Sequence, residues 1–139
     1  YYAVWRGLDR DKAADLPWPY ALQQLRIIEK DEFYEAAYPT HAEEAVAGFY
    51  AFRKHCLACH SINGCGGTMG VELNSPQNVT EYWQPDALRD YILDPAAFRL
   101  RSKMPAMKHL PREEIDAILL FLKEMTKKKL TGATKSKSD

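Results

Sequence analysis

Cys56-Leu57-Ala58-Cys59-His60 limits what this 139-residue chain can fold into more than any other stretch. Few chemistries use two thiols two residues apart with an imidazole directly after the second. Each thiol can add to one vinyl group of the same porphyrin, and the histidine then lies beneath the iron as an axial ligand. The short apolar Leu57 and Ala58 let such a turn lie against the ring edge. A thioredoxin-like dithiol opens a helix beside a βαβ pattern, whereas this string closes a helical pattern and no βαβ is present. A zinc site from Cys56, Cys59, Cys65 and His60 needs the adjacent Cys59 and His60 to converge although they point apart. An iron–sulfur cluster lacks its fourth thiolate, because the chain has three cysteines. The string predicts one covalently bound haem c on Cys56 and Cys59, with His60 as the proximal iron ligand.

The sixth coordination position then needs a donor from elsewhere. Met125 falls on the apolar stripe of a helical pattern, where core packing explains it. Met69 follows His60 by nine residues in a glycine loop on the histidine's own side, an awkward place from which to cross the ring. Met104 stands before Pro105 in the irregular link Arg101-Ser102-Lys103-Met104-Pro105-Ala106-Met107, and the proline fixes the backbone just after the sulfur. Met104 is therefore the expected distal ligand, with Met107 as the nearest substitute and His109 as the bis-histidine alternative. Otherwise Met104 is a surface methionine in a loop, and His109 a loop histidine facing solvent. Cys65 is expected to fill the core as a small apolar side chain, a reactive or dimer-forming thiol being the alternative. His41 and His55 are read as helix-surface residues, with His55 close to a haem propionate.

The rest of the chain reads as helices and loops. Thr40 and Glu43 have capping-box spacing, and Ala45, Phe49, Phe52 and Cys56 then share one face, so a helix is expected from about His41 to Cys56. Residues 61–80, with Gly64, Gly66, Gly67, Gly70 and Pro76, read as a loop. Pro85 suits the first turn of a second helix, Asp86 to Leu93, which Pro95 stops. A third helix begins near Pro111 and buries Ile115, Ile118, Leu119, Leu122 and Met125. Residues 1–39 are aromatic-rich and broken by Pro17, Pro19 and Pro39, which reads as an irregular arm packed on the domain. No internal repeat is visible, and no strand beyond a short pairing in the arm is needed. The expected organisation is an arm over 1–39, one all-α domain over 40–126 and a basic tail over 127–139.

Charge narrows the function classes. The chain is neutral overall, yet residues 40–100 carry −3 and residues 101–139 carry +5. The tail reads as a solvated basic run, or else as part of an uneven field that steers a charged partner. No basic stripe interleaves with aromatics, so nucleic acid is not an expected partner. No apolar run reaches the roughly 18 residues of a membrane span. The first residues also lack the basic and apolar regions of a signal peptide. The location is therefore read as cytoplasmic, or as extracytoplasmic with a leader or anchor removed.

Residues 40–126 resemble a class I cytochrome c, a fold of three main helices around one haem. The resemblance rests on Gly48-x-x-x-Phe52-x-x-x-Cys56-x-x-Cys59-His60, on Gly66-Gly67-x-x-Gly70-Val71-Glu72-Leu73, on Tyr91-Ile92-Leu93-Asp94-Pro95 and on Met104-Pro105-Ala106-Met107. It implies that the first and last helices cross at Gly48 against Phe121. It also implies that the carbonyl following the last loop glycine accepts the Nδ1 proton of the haem histidine. The family places proline there, whereas this chain has Val71, which keeps the carbonyl and leaves loop stiffness in question. Leu16-Pro17-Trp18-Pro19-Tyr20 and Glu72-Leu73-Asn74-x-Pro76 resemble cytochrome modules associated with molybdopterin-dependent oxidoreductases.

Together these features imply a single-electron carrier rather than an enzyme. Iron bound by His60 and Met104 has no vacant site for substrate, and the soft sulfur favours the ferrous state. The expected partners are a redox-protein donor and acceptor, among them a molybdopterin oxidoreductase, met by a monomer in the periplasm or another extracytoplasmic space. A haem peroxidase or gas sensor with a labile sixth ligand, and an electron-transfer subunit of a larger oxidoreductase, are the competing readings.

Overall fold

The computed structural model describes residues 33–130. A tight 3-10 turn, Glu43–Ala45, leads into helix α1, Val46–His55. Two very short strands follow, β1 at Ser61–Ile62 and β2 at Cys65–Gly66. Helices α2, Val79–Tyr82, α3, Pro85–Leu93, α4, Pro95–Phe98, and α5, Arg112–Met125, complete the described residues. The architecture is helix-rich, with one antiparallel pair that joins Ser61 to Gly66 and Ile62 to Cys65.

The crossing of α1 and α5 makes the most extensive contact between elements and positions the site. On α5 the apolar residues recur at spacings of three and four, so Ile115, Ile118, Leu119, Leu122 and Met125 bury one face. Phe121 joins them with no exposed surface, its ring 5.3 Å from Phe52 and 5.8 Å from Phe49. Gly48 makes the close approach possible. A Cβ there would stand 1.9 Å from the Ala117 carbonyl oxygen and 2.7 Å from Phe121 Cβ. The expected pairing of Gly48 with Phe121 is therefore present. Arg89 on α3 reaches across to Asp116 on α5, 2.7 Å from Nε to Oδ1, and also contacts Asp86.

Several elements depart from the sequence reading. The first helix does not begin at His41, and no side-chain cap forms there. Instead the chain turns tightly after Pro39 and buries Ala42 and Ala45 against α5, which outweighs a cap by Thr40. Residues 61–80 are not wholly loop. Asn63 and Gly64 both take positive φ, 54° and 78°, as a two-residue turn between antiparallel strands requires. Helix α2 carries the capping box the sequence reading missed, with Asn78 and Glu81 each accepting the other's backbone N–H or that of a first-turn neighbour. The second and third helices fall where expected, Pro85 opening α3 and Pro111 preceding α5.

The proline-broken aromatic segment Leu16–Tyr20 and the distal lysines of the tail lie outside the described residues. Residues 33–38 rest on α1, with Tyr34 and Tyr38 edge-on to Phe49 at 5.7 and 5.2 Å. Two lysines just after α5 are anchored on the domain. Lys128 Nζ donates to the carbonyls of Glu35 and Tyr38, and Lys129 pairs with Glu81 at 2.6 Å.

Candidate haem site

The five-residue string hangs directly from the end of α1. Cys56 N–H and Leu57 N–H both donate to the Phe52 carbonyl, at 2.8 and 3.0 Å. Cys59 N–H and His60 N–H both donate to the Cys56 carbonyl, at 3.0 and 2.9 Å. The two thiols and the imidazole thus occupy one tight turn whose origin is the α1–α5 crossing. Cys56 and Cys59 are half-buried, whereas Cys65 is buried and donates its thiol hydrogen to the Phe33 carbonyl at 3.2 Å. Cys65 therefore packs as the expected small filler.

His60 is oriented from two sides. Its Nδ1 lies 2.8 Å from the Val71 carbonyl oxygen. A carbonyl can only accept, so Nδ1 carries the proton and Nε2 keeps its lone pair free for a metal. The hydrogen bond expected of the family survives the replacement of proline by Val71. Gly70 lies flat against the ring, where a Cβ would come within 2.5 to 2.8 Å of three ring atoms. Gly70 N–H also donates to the Cys59 carbonyl at 2.7 Å, which holds the loop on the turn that carries the histidine.

The thiol environment argues against dithiol redox chemistry. Burial first, and then the neighbouring Cys59, push the Cys56 thiol up to about 12. Redox-active Cys-x-x-Cys pairs need the opposite, a thiol acidified toward neutral pH. Among the described residues no three His, Cys, Asp or Glu side chains converge as a site for a bare metal ion. The same residues suit a porphyrin. Two thiols stand on one turn, an imidazole offers an Nε2 with no partner among the described residues, and the segments 69–71 and 98–100 leave large apolar side chains open. Met69 is 87% exposed, Leu100 91%, Val71 64% and Phe98 47%. Met69 and Val71, on the loop that holds His60, are thus available to a covering group.

The candidate distal ligands differ in their surroundings. Met125 is buried in the core, as its helical stripe implies. Met69 Sδ lies 4.0 Å from Cys59 Sγ, on the histidine's own loop. Met104 and Met107 are both half-buried and pack against the core cluster. Met107 is tied at both ends of its peptide unit, its N–H to the Ile92 carbonyl and its carbonyl to Leu110 N–H. Among the described residues the Met104 backbone is held through its N–H alone, which donates to Ser102 Oγ at 3.3 Å. His109 is exposed, with its ring centroid 6.0 Å from that of His55. His55 is not a free surface residue, because its Nε2 lies 3.1 Å from Glu114 Oε1 on α5.

The sequence reading missed the polar framework behind the histidine loop. Asn63, Asn74 and Asn78 are buried in series, with Asn74 Nδ2 donating to Asn63 Oδ1 at 2.8 Å and Asn78 Nδ2 to Asn74 Oδ1 at 2.7 Å. The ladder ends on carbonyls of Leu122 and Lys128, on and just beyond α5. Asn63-Gly64 and the Asn78–Glu81 spacing are sequence signals that could have exposed part of it.

A thiol-thiol-imidazole turn suspended from crossed helices, with its histidine oriented by a loop carbonyl, defines a class I cytochrome c carrying covalently bound haem c. The chain belongs to the family described as "Cytochrome C oxidase, cbb3-type, subunit III", whose model matches residues 43–122. It is 25% identical over 136 residues to "Cytochrome c oxidase subunit 2" of Alkalihalophilus pseudofirmus, covering 86% of this chain. The chain spans only 40% of the length of that relative. It is 28% identical over 105 residues to "Cytochrome c" of Guizotia abyssinica, covering 61% of this chain and 93% of the relative. No solved structure matches. Haem and iron binding and electron transport follow from the family.

Proposed function

We propose that the chain is a single-electron carrier in which Cys56 and Cys59 hold the haem through thioether bonds and His60 and Met104 ligate its iron. The observation that supports this reading is the 2.8 Å contact between His60 Nδ1 and the Val71 carbonyl, which leaves the Nε2 lone pair available to a metal. The bound haem supplies one-electron exchange between ferric and ferrous iron. The protein holds the histidine in one tautomer, shields one face with Gly70 and keeps an apolar surround that disfavours the extra ferric charge. Met104 is favoured over Met107 because its backbone is less committed and Pro105 stiffens the chain after the sulfur. Met69 and Met125 are disfavoured by position and burial, and His109 by its exposure.

With His60 and Met104 both holding the iron, no position would be left for substrate, and the chain would carry electrons without catalysing another reaction. Among the described residues no helix is long and apolar enough to cross a membrane. The domain works outside the cytoplasm, where thioether attachment is made, with a monomeric core spanning 40–126, an arm before it and a basic tail after it. Its partners are redox proteins. One specific observation favours a subunit role over free diffusion: the likeness to an oxidase subunit covers 86% of this chain but 40% of that longer protein. On that reading the module feeds or drains a larger oxidoreductase, a respiratory oxidase or a molybdopterin enzyme.

The test is a visible spectrum of the holoprotein. Acid–acetone should leave the pigment on the protein, and the ferric form should show the weak far-red band of sulfur ligation. Met104→Ala should remove that band, lower the potential and let cyanide bind. An unchanged spectrum in Met104→Ala would hand the position to Met107 or His109, and a high-spin ferric wild type would support the peroxidase or sensor reading.

A further inference from the structure

Val71 presents its carbonyl to His60, and Glu72 is the next residue. Its carboxylate has no cation partner among the described residues. It is met instead by a ring of backbone N–H groups. Oε1 accepts from Asn63 at 2.8 Å, Asn74 at 3.0 Å and Ser75 at 3.3 Å, while Oε2 accepts from Gly64 at 3.0 Å. Two of these donors, Asn63 and Gly64, are the left-handed residues of the turn between β1 and β2. Successive N–H groups in that conformation form an anion-binding nest, and here the anion is a side chain of the same chain. Burial pushes the carboxyl pKa up, but bonds from Gly64, Ser61, Asn74 and Asn63 outweigh it, so the group stays ionised.

The clamp acts on the histidine through one short stretch of backbone. Leu73 N–H donates to the Ser61 carbonyl at 3.0 Å, which pins the segment after Val71 beside the residue after His60. With Glu72 closing the other side, the Val71 carbonyl has no freedom to swing from Nδ1. The family holds this carbonyl with proline; this chain has the more flexible Val71 and compensates with side-chain and backbone bonds.

We propose that Glu72 is a positioning residue for the haem histidine, fixing the Val71 carbonyl against His60 Nδ1 and so setting the basicity of the iron-bound imidazole. This rests on His60 being the proximal ligand. A tightly held acceptor makes the imidazole a stronger donor to iron and favours the ferric state. Loosening the clamp therefore raises the reduction potential. The negative charge of Glu72 acts in the same direction, and the choice of variants separates the two effects. Glu72→Gln removes the charge and faces the N–H ring with a donor. Glu72→Asp keeps the charge but is one methylene too short to span the nest and the 71–75 backbone together.

The experiment compares wild type, Glu72→Gln, Glu72→Asp and Val71→Pro/Glu72→Asp as holoproteins, by redox titration and by the ferrous NMR signal of His60 Nδ1–H. Both single variants should raise the potential, and the Nδ1 proton should exchange with solvent about tenfold faster. Proline at position 71 should restore both properties in the Asp background. A Glu72→Asp protein indistinguishable from wild type in potential and exchange would overturn the positioning role, leaving charge alone. A Glu72→Asp protein whose potential rises while Val71→Pro fails to restore it would also overturn it. If wild type shows no haem-shifted His60 signal at all, the ligand assignment has failed rather than the clamp.

Discussion

The segment that carries His60 and the segment that carries Met104, the proposed second iron ligand, are built differently. From residue 57 to 78 the chain is laced by backbone bonds, a buried asparagine ladder and the Glu72 clamp. From 96 to 109 most residues are exposed, and among the described residues five backbone N–H bonds, to backbone carbonyls or to Ser102 Oγ, brace the stretch after α4. Arg101 even sits at a positive φ of 66°, a conformation that costs a side-chain-bearing residue of order 1 kcal/mol. The difference teaches where precision is needed. The imidazole must hold one tautomer and one plane, which takes many directional contacts. On the proposed ligation, a thioether sulfur on a flexible side chain would need only to be delivered to the metal.

Breaking the foundation of the histidine side should have the largest effect. Gly48→Ala places a methyl group against the Ala117 carbonyl and the base of Phe121, neither of which can move away alone. The crossing of α1 and α5 must open, at a cost of about 3 kcal/mol. Denaturant titration should show a lowered midpoint with an unchanged slope. A loss within error of zero would mean the helices slide freely, and the scaffold argument would fail.

The Met104 side should yield more in coordination than in stability. Met104→Ala removes a half-buried side chain, so about 1 to 2 kcal/mol is expected, below the range for fully buried methionine. Its far-red band should vanish and external ligands should bind. Met107→Ala should cost a similar amount and keep the band. If the two variants exchange these spectra, the looser segment delivers Met107 instead.

Acid separates the two sides next. Glu72 has its carboxyl pKa held below the ordinary 4.5, so the folded state favours the ionised form. Its contribution is complete above the unfolded value near 4.5 and is lost as pH falls through the lower folded value. Urea midpoints measured down the pH scale should decline less steeply in Glu72→Gln than in wild type. The decline left in the variant belongs to exposed carboxylates such as Asp94 and Glu81, both also held low by lysine partners. Parallel curves for the two proteins would show that the clamp carries no proton-linked stability.

Legibility in the sequence followed the same division. The attachment string, Pro85 at the head of α3 and the α5 stripe were readable because short spacing or a single period determines each of them. The pairing of Gly48 with Phe121 was readable only through family likeness, since the two residues lie far apart in the chain. The start of α1 was misread because burial of Ala42 and Ala45 is a tertiary gain that the Thr40–Glu43 spacing cannot reveal. Asn63-Gly64 carried a turn signal that the glycine-rich surroundings obscured. Glu72 stands in the family-like strings, but its clamp gave no signal of its own, because its partners are backbone groups.

The smallest effect should come from the ion pair that, among the described residues, braces the Met104 segment. Lys108 Nζ lies 2.7 Å from Asp94 Oδ2, closing the loop that begins before α4 and ends just past Met107. Both side chains are largely open to water, 67% and 39% exposed, so solvent and salt screen the pair. Lys108 holds the Asp94 carboxyl below its usual range, first through a hydrogen bond, and the pair therefore persists in mild acid and fades only as pH falls further. Lys108→Ala should leave the denaturation midpoint unchanged within error, while cyanide binding to the ferric protein quickens by about twofold. High salt should produce the same small acceleration in wild type and none in the variant. A midpoint shift as large as that of Met107→Ala would show that electrostatics, not packing of Met104 and Met107 on the core, hold this side of the site together.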